Sequence, residues 1–76
     1  MPAPSIGQKL KFLRDARGKN QRQVAIDLQI SQQSYSAYEH DAIDIPTSKL
    51  RLLADYYHVS LDWLVTEPRK EEIHSA

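Results

Sequence analysis

Residues 20–39 constrain the fold most strongly, because they contain two short helical patterns with almost no chain between them. Asn20 and Ser31 are both residues that favour helix N-caps, and Gln23 is correctly placed to complete a capping box with Asn20. Gln29 lies in the turn, where we expect a positive φ that glycine would adopt more easily. The side chains expected to face inward are Val24, Ala25, Leu28, Ile30, Tyr35 and Tyr38. The segment is therefore predicted to form two helices joined by a tight turn.

The rest of the sequence predicts three further helices and no strand. The apolar positions with helical spacing are Ile6, Leu10 and Leu13, then Leu50, Leu53, Ala54 and Tyr57, and finally Leu61 and Leu64. Gly18 is suited to ending the first helix, and Ser60 to capping the fifth. Pro46 is expected just before the fourth helix, with Thr47 or Ser48 as its cap. The predicted fold is an all-α, compact domain of five helices.

One domain accounts for the whole chain of 76 residues. We expect an N-terminal tail over residues 1–5, the helical domain over 6–66 and a flexible C-terminal tail over 67–76. The sequence has no cysteine, no visible secretory signal and no apolar stretch near the ~18 residues of a membrane span. A soluble, cytoplasmic protein without a membrane partner is therefore expected.

The sequence gives no support for an enzyme. It contains no glycine-rich phosphate loop and no nucleophile elbow. His40, His58 and His74 are too widely scattered to suggest a metal site. We therefore expect no catalytic residues, no metal and no cofactor.

The net charge of zero conceals an uneven distribution along the chain. Residues 1–38 hold six basic and two acidic side chains, whereas residues 39–76 hold four basic and eight acidic ones. Such polarity can orient a protein on an anionic surface, although it is also compatible with an ordinary mixed surface.

Several motifs occur in a recognisable order: Ile-Gly-x-x-Leu-x-x-Leu-Arg (6–14), Asn-Gln-x-x-Val-Ala (20–25), Ile-Ser-Gln-Gln-Ser (30–34), Tyr-Glu (38–39) and Val-Ser-Leu-Asp-Trp-Leu (59–64). Together they resemble the lambda-repressor-like, Cro-type helix-turn-helix proteins of the XRE family. The resemblance implies a five-helix domain that binds an operator in double-stranded DNA, usually as a homodimer. It also implies a bacterial or phage transcriptional regulator, with repression of a pseudo-palindromic operator as the expected activity.

The resemblance assigns roles to individual residues. Gln32 and Gln33 match side chains that read bases, and an amide can pair with adenine N6 and N7. Ser34 and Ser36 are expected to assist them. The expected phosphate contacts are Asn20 and Gln21, which match the family, and the nearby cations Arg22, Lys19 and Arg17. Arg14 and Glu39 match a structural salt bridge between the first and third helices.

Some residues depart from the family pattern. Lys19 replaces the usual leucine, which removes an apolar contact with Val24. Asp41 and Asp44 follow the third helix, which is the recognition helix in the family, and would repel DNA unless the loop turns away. The alternative function is therefore a protein-interaction module, such as an antitoxin or a partner of another regulator, with weak or no DNA binding. The apolar side chains that would serve such a partner, or equally a homodimer, are Phe12, Ile26, Tyr56 and Trp63.

Overall fold

The computed structural model describes residues 4–66. Its five helices are α1 (Ile6–Ala16), α2 (Gln21–Leu28), α3 (Gln32–Glu39), α4 (Thr47–Tyr57) and α5 (Leu61–Val65), and no strand occurs over the described part of the chain. The predicted all-α architecture of five helices is confirmed. The expected tail over 67–76 and the first three residues of the expected N-terminal tail lie outside the described residues.

Short-range signals set most of the helix ends. The Asn20 side chain accepts a hydrogen bond from the Gln23 amide at 2.8 Å, and Gln23 Oε1 accepts one from the Asn20 amide at 2.9 Å, so the predicted capping box is formed. Ser31 and Ser60 cap α3 and α5 in the predicted manner. Gly18 has a φ of +65° just beyond α1. These signals act over three or four residues, which is why the sequence predicts them well.

The turn between α2 and α3 depends on one left-handed residue. Gln29 has φ 59° and ψ 42°, and the amide of Ile30 donates to the carbonyl of Ala25 at 3.0 Å. The expected positive φ is thereby confirmed at a residue that carries a side chain, a conformation that costs about 1 kcal/mol. The turn allows α3 to begin with only three residues between it and the end of α2.

The start of α4 differs from the prediction that Thr47 or Ser48 caps it. The N-cap is Pro46, and no side chain caps this helix. The Pro46 carbonyl accepts from the amides of Lys49 and Leu50, both at 2.9 Å, which places Thr47 inside the first turn. The expectation was wrong because the helix begins directly after the ring of Pro46, with no residue left between them to act as a polar cap.

The core lies where α1, α2, α3 and α4 converge, with α5 closing one end. Its buried side chains are Leu10, Leu13, Val24, Ala25, Leu28, Tyr35, Tyr38, Leu53, Ala54, Tyr57 and Leu64. The hydroxyls of Tyr35 and Tyr57 are hydrogen-bonded at 2.7 Å within this core. Burial raises the pKa of Tyr57 to about 12 and raises that of Tyr35 further. Both phenols therefore stay neutral and link α3 to α4.

The N-terminus of α1 lies directly against the C-terminus of α3. A Cβ atom on Gly7 would collide with the carbonyl of Glu39 and lie 2.7 Å from that of Tyr38. The carboxylate of Asp41 accepts hydrogen bonds from the Gly7 amide at 2.9 Å and from the Ser5 hydroxyl at 2.5 Å. Asp41 thus caps α1 from across the chain, where a negative charge is favourable.

A buried lysine holds the end of α5. Lys9 is only 6% exposed, and its Nζ donates to the carbonyls of Trp63 at 2.6 Å and Thr66 at 2.9 Å. These carbonyls lie at the C-terminal end of a helix, which attracts a cation. The ammonium also lies 4.9 Å from the Trp63 ring centroid. Lys9 therefore joins α1 to α5.

Candidate nucleic-acid interface

The exposed face of α3 adjoins the start of α2 at an open concave surface. Gln32 and Gln33 are the first two residues of α3 and are exposed, while Gln21 is the first residue of α2. The residues that line the concave surface are Gln21, Gln32, Gln33, Ser36, Ala37, His40 and Ala42. Three of the four expected base-reading residues and one expected phosphate contact are thus brought together. The lining therefore combines hydrogen-bonding side chains with the apolar side chains of two alanines.

The fourth expected base-reading residue, Ser34, does not line that surface. Its hydroxyl is hydrogen-bonded to the hydroxyl of Ser31 at 2.9 Å, and its amide donates to the same Ser31 oxygen at 3.0 Å. Ser34 is half-buried and takes part in the cap of α3. Its position therefore favours a structural role over contact with a base.

An ion pair beneath the surface fixes α3 to α1. Arg14 Nε lies 2.6 Å from Glu39 Oε2, and Arg14 Nη2 donates to Glu39 Oε1 at 3.0 Å. Gln21 Nε2 donates to the same Oε1 at 3.0 Å, and Arg14 Nη1 donates to the Lys19 carbonyl at 2.9 Å. Burial alone would raise the pKa of Glu39, but the hydrogen bonds from Arg14 and Gln21 hold that pKa below its usual value. One network thus fixes α1, the start of α2 and the end of α3.

The expected phosphate contacts differ in how freely their side chains are placed. Asn20 and Arg22 are exposed at the start of α2, although the Asn20 side chain also serves as the helix cap. Arg17 donates to the carbonyls of Tyr57 at 2.6 Å and Leu13 at 3.3 Å. Arg17 is thereby tied to the C-terminus of α4 and does not line the concave surface. Arg22 does not line the surface either, but it is exposed at the start of α2, directly after the lining residue Gln21.

Lys19 belongs to a small polar cluster at the leucine position of the family. Its Nζ lies 3.3 Å from Asp27 Oδ2 and 5.8 Å from the Tyr56 ring centroid, and the Tyr56 hydroxyl donates to the same Asp27 oxygen at 2.5 Å. The Tyr56 hydroxyl and the Asp27 carboxylate raise the pKa of Lys19. The lost apolar contact is therefore replaced by a charged one between the α1–α2 loop, α2 and α4.

The loop after α3 carries two carboxylates, Asp41 and Asp44, and one of them is hydrogen-bonded within the protein. Asp41 was expected to repel DNA, but its carboxylate is bound to the N-terminus of α1, as described above. Asp44 is exposed in the same loop. The Asp41 carboxylate is therefore hydrogen-bonded within the fold, although Asp41 remains exposed. This contact joins residues 34 positions apart, and no local pattern indicates it.

His40 lines the concave surface, a position that the sequence analysis does not predict for this residue. It is the C-cap of α3, it is exposed, and its Nδ1 lies 2.8 Å from the Ser36 carbonyl. The sequence signal is its position directly after Glu39 and one helical turn beyond Ser36 of α3. Over the part of the chain that is described, no group of histidine and acidic side chains has the arrangement of a metal site. No helix in residues 4–66 has the length and apolarity to cross a bilayer.

Two short helices, a left-handed turn and an exposed polar start to the second helix are the features of a helix-turn-helix domain. The chain belongs to this family, because the family model described as "Helix-turn-helix domain" matches residues 7–69. The predicted resemblance to XRE-type helix-turn-helix proteins is thereby confirmed.

Curated relatives support the same family. The chain is 38% identical over 61 residues, 80% of its length, to the "HTH-type transcriptional regulator ImmR" of Bacillus subtilis (strain 168), of which it covers 48%. It is 36% identical over 58 residues, 76% of its length, to the "Uncharacterized HTH-type transcriptional regulator YobD" of the same strain, of which it covers 52%. The chain therefore spans about half the length of these relatives.

Proposed function

We propose that this protein is a sequence-specific DNA-binding transcriptional regulator whose helix α3 enters the major groove. The observation that carries the proposal is the concave surface on which Gln32, Gln33 and Ser36 of α3 meet Gln21 of α2. A glutamine amide both donates and accepts, so it can form a bidentate pair with the N6 and N7 atoms of adenine. We expect Gln32 and Gln33 to read bases, with Ser36 assisting and Ser34 contributing less.

The start of α2 is the proposed anchor on the phosphate backbone. Gln21 is held in place by Glu39, and the amides of the first turn of a helix attract anions. Arg22 and Asn20 lie exposed at the same end, and Arg22 adds a full positive charge. Lys19 and Arg17 are secondary candidates, because both make contacts within the protein. Phosphate contacts of this kind position a protein without selecting a sequence.

Repression by a homodimer is the proposed mode of action. Two α3 helices related by a twofold axis would lie about 34 Å apart, one turn of B-form DNA, and would read the two halves of a pseudo-palindromic operator. The similarity to relatives that are named transcriptional regulators supports this proposal. DNA binding of this kind needs no catalytic residue and no cofactor, and it would take place in the cytoplasm, where the chromosomal DNA is.

A protein-interaction role is the second candidate. It is favoured by the large apolar side chains of Phe12, Ile26 and Trp63, which are 66%, 63% and 43% exposed. Tyr56 fits this role less well, since its hydroxyl is bound to Asp27. In this role the protein would act as an antitoxin or as a partner of another regulator.

Selection of bound fragments from a random pool of duplex DNA tests the proposal. We expect an enriched pseudo-palindromic site, and log affinity for that site should fall linearly with log salt concentration because phosphate contacts release counterions. Failure to enrich any site, or an affinity that does not respond to salt, would contradict DNA binding and favour the protein-interaction role.

A further inference from the structure

The lining of the concave surface contains one side chain that can carry a positive charge. Among the described residues that line it, His40 is the only one with a titratable side chain. The others are amides, a hydroxyl and alanines, and α3 carries no lysine or arginine. Any positive charge that the lining itself presents to an anion must therefore come from His40.

The orientation of the His40 imidazole decides which protonation state of the ring can donate a hydrogen bond to a phosphate. Nδ1 of His40 lies 2.8 Å from the carbonyl oxygen of Ser36, and a carbonyl oxygen only accepts, so Nδ1 carries the proton of this hydrogen bond. In the neutral ring Nε2 is then a bare acceptor, which phosphate oxygens repel. Protonation at Nε2 converts it into a charged donor, the form that makes strong hydrogen bonds to phosphate.

We propose that His40 contacts a DNA phosphate through Nε2 as an imidazolium, so that binding of DNA takes up one proton per protomer. The site rests on the proposed DNA-binding function and deepens it. Its position suits the role, because the C-terminal end of a helix favours a cation.

The charged groups around His40 leave this contact available. On α3 itself the Glu39 carboxylate is paired with Arg14 of α1, and on the following loop Asp41 is bound to the N-terminus of α1. Arg22, at the start of α2, is exposed, and Asp44 is exposed in the loop. None of these four groups is hydrogen-bonded to the imidazole, whose partner is the Ser36 carbonyl.

The test compares the pH dependence of DNA affinity in three proteins: wild type, His40→Gln and His58→Asn. His58 is the matched control, since it is also an exposed histidine at a helix C-cap but does not line the concave surface. Asparagine suits its φ of 59°. The probes are a duplex of the sequence enriched by selection and a duplex of the same composition in scrambled order, titrated at constant ionic strength. Circular dichroism verifies that each protein is folded at every pH.

Uptake of one proton per protomer makes log affinity fall by up to one unit for each unit of pH, so we expect the wild-type affinity to weaken by up to about tenfold per protomer for each unit that the pH is raised. His58→Asn should show the same slope, and His40→Gln should show little or none. A slope in His40→Gln equal to that of the wild type, or a wild-type affinity that rises with pH, would overturn the assignment of His40. Equal affinity of the wild type for both duplexes at every pH would instead overturn the proposed sequence-specific function.

Discussion

Replacing Arg14 with alanine would remove the cation that compensates a buried carboxylate. The Glu39 side chain is 2% exposed and that of Arg14 is 12% exposed, and two N–O contacts of 2.6 and 3.0 Å join them. Removing one partner of such a pair costs about 3–5 kcal/mol, because the other charge is left buried. Gln21 still donates to Glu39 in the variant, so we expect a loss near the lower end, about 3 kcal/mol.

The loss is measurable by urea denaturation followed by circular dichroism and by thermal unfolding. Each kcal/mol shifts the melting temperature of a domain of this size by about 4–8 °C, so Arg14→Ala should lower it by at least about 12 °C. Lys11→Ala is the matched control, since it removes the same charge from α1 but breaks a pair whose side chains are 61% and 56% exposed. Its expected cost is below about 0.5 kcal/mol. Equal losses in the two variants would refute the structural role of the Arg14–Glu39 pair.

Three further predictions concern stability. Because the pKa of Glu39 is held below the usual 4.5, the ionised carboxylate stabilises the fold above that pH and loses this contribution as the pH falls further. The free energy of unfolding of Glu39→Gln should therefore fall less steeply below about pH 4.5 than that of the wild type. An equally steep fall in both proteins would contradict this. Gly7→Ala should cost about 1–3 kcal/mol or more in urea denaturation through collision with α3, whereas Gly18→Ala, with nothing within 4 Å, should cost only about 1 kcal/mol for its positive φ. Lys9→Met keeps an apolar stem in the buried position but leaves the carbonyls at the end of α5 without their donor. We expect the free energy of unfolding to fall by about 1–3 kcal/mol and the melting temperature to fall with it. An unchanged melting temperature would contradict this role of Lys9.

The sequence predicts what local contacts determine. The caps at Asn20, Ser31 and Ser60 and the left-handed turn at Gln29 involve residues at most five positions apart, so their signals are contained in short segments. The pairing of Arg14 with Glu39 was available only through the family resemblance. It spans 25 positions, and spacing alone does not identify such a contact.

The contacts that the sequence did not indicate are those made across the fold. The Asp41 carboxylate reaches the Gly7 amide, and the Lys9 ammonium reaches the Thr66 carbonyl 57 positions away. Both residues are charged and occur in segments that read as ordinary solvated surface. Their partners are backbone groups at helix ends, which every sequence contains, so no side-chain pattern distinguishes them.

These contacts also change the meaning of the charge distribution. Of the six basic side chains in residues 1–38, Lys9 binds the end of α5, Arg14 binds Glu39 and Arg17 binds the end of α4. They contribute to the fold and are less available for phosphate contacts. The basic half of the sequence therefore overstates the charge that the protein can offer to DNA, and the proposed imidazolium of His40 would be correspondingly important.

Base reading by α3 is tested most directly by a thermodynamic cycle on Gln33. Affinities of the wild type and of Gln33→Ala are measured on the selected duplex and on a duplex in which the A·T pair assigned to Gln33 is replaced by G·C. A bidentate amide–adenine pair predicts a loss of about 1–3 kcal/mol for Gln33→Ala on the selected duplex and almost none on the replaced one. Equal losses on both duplexes, or no loss on either, would contradict base reading by Gln33.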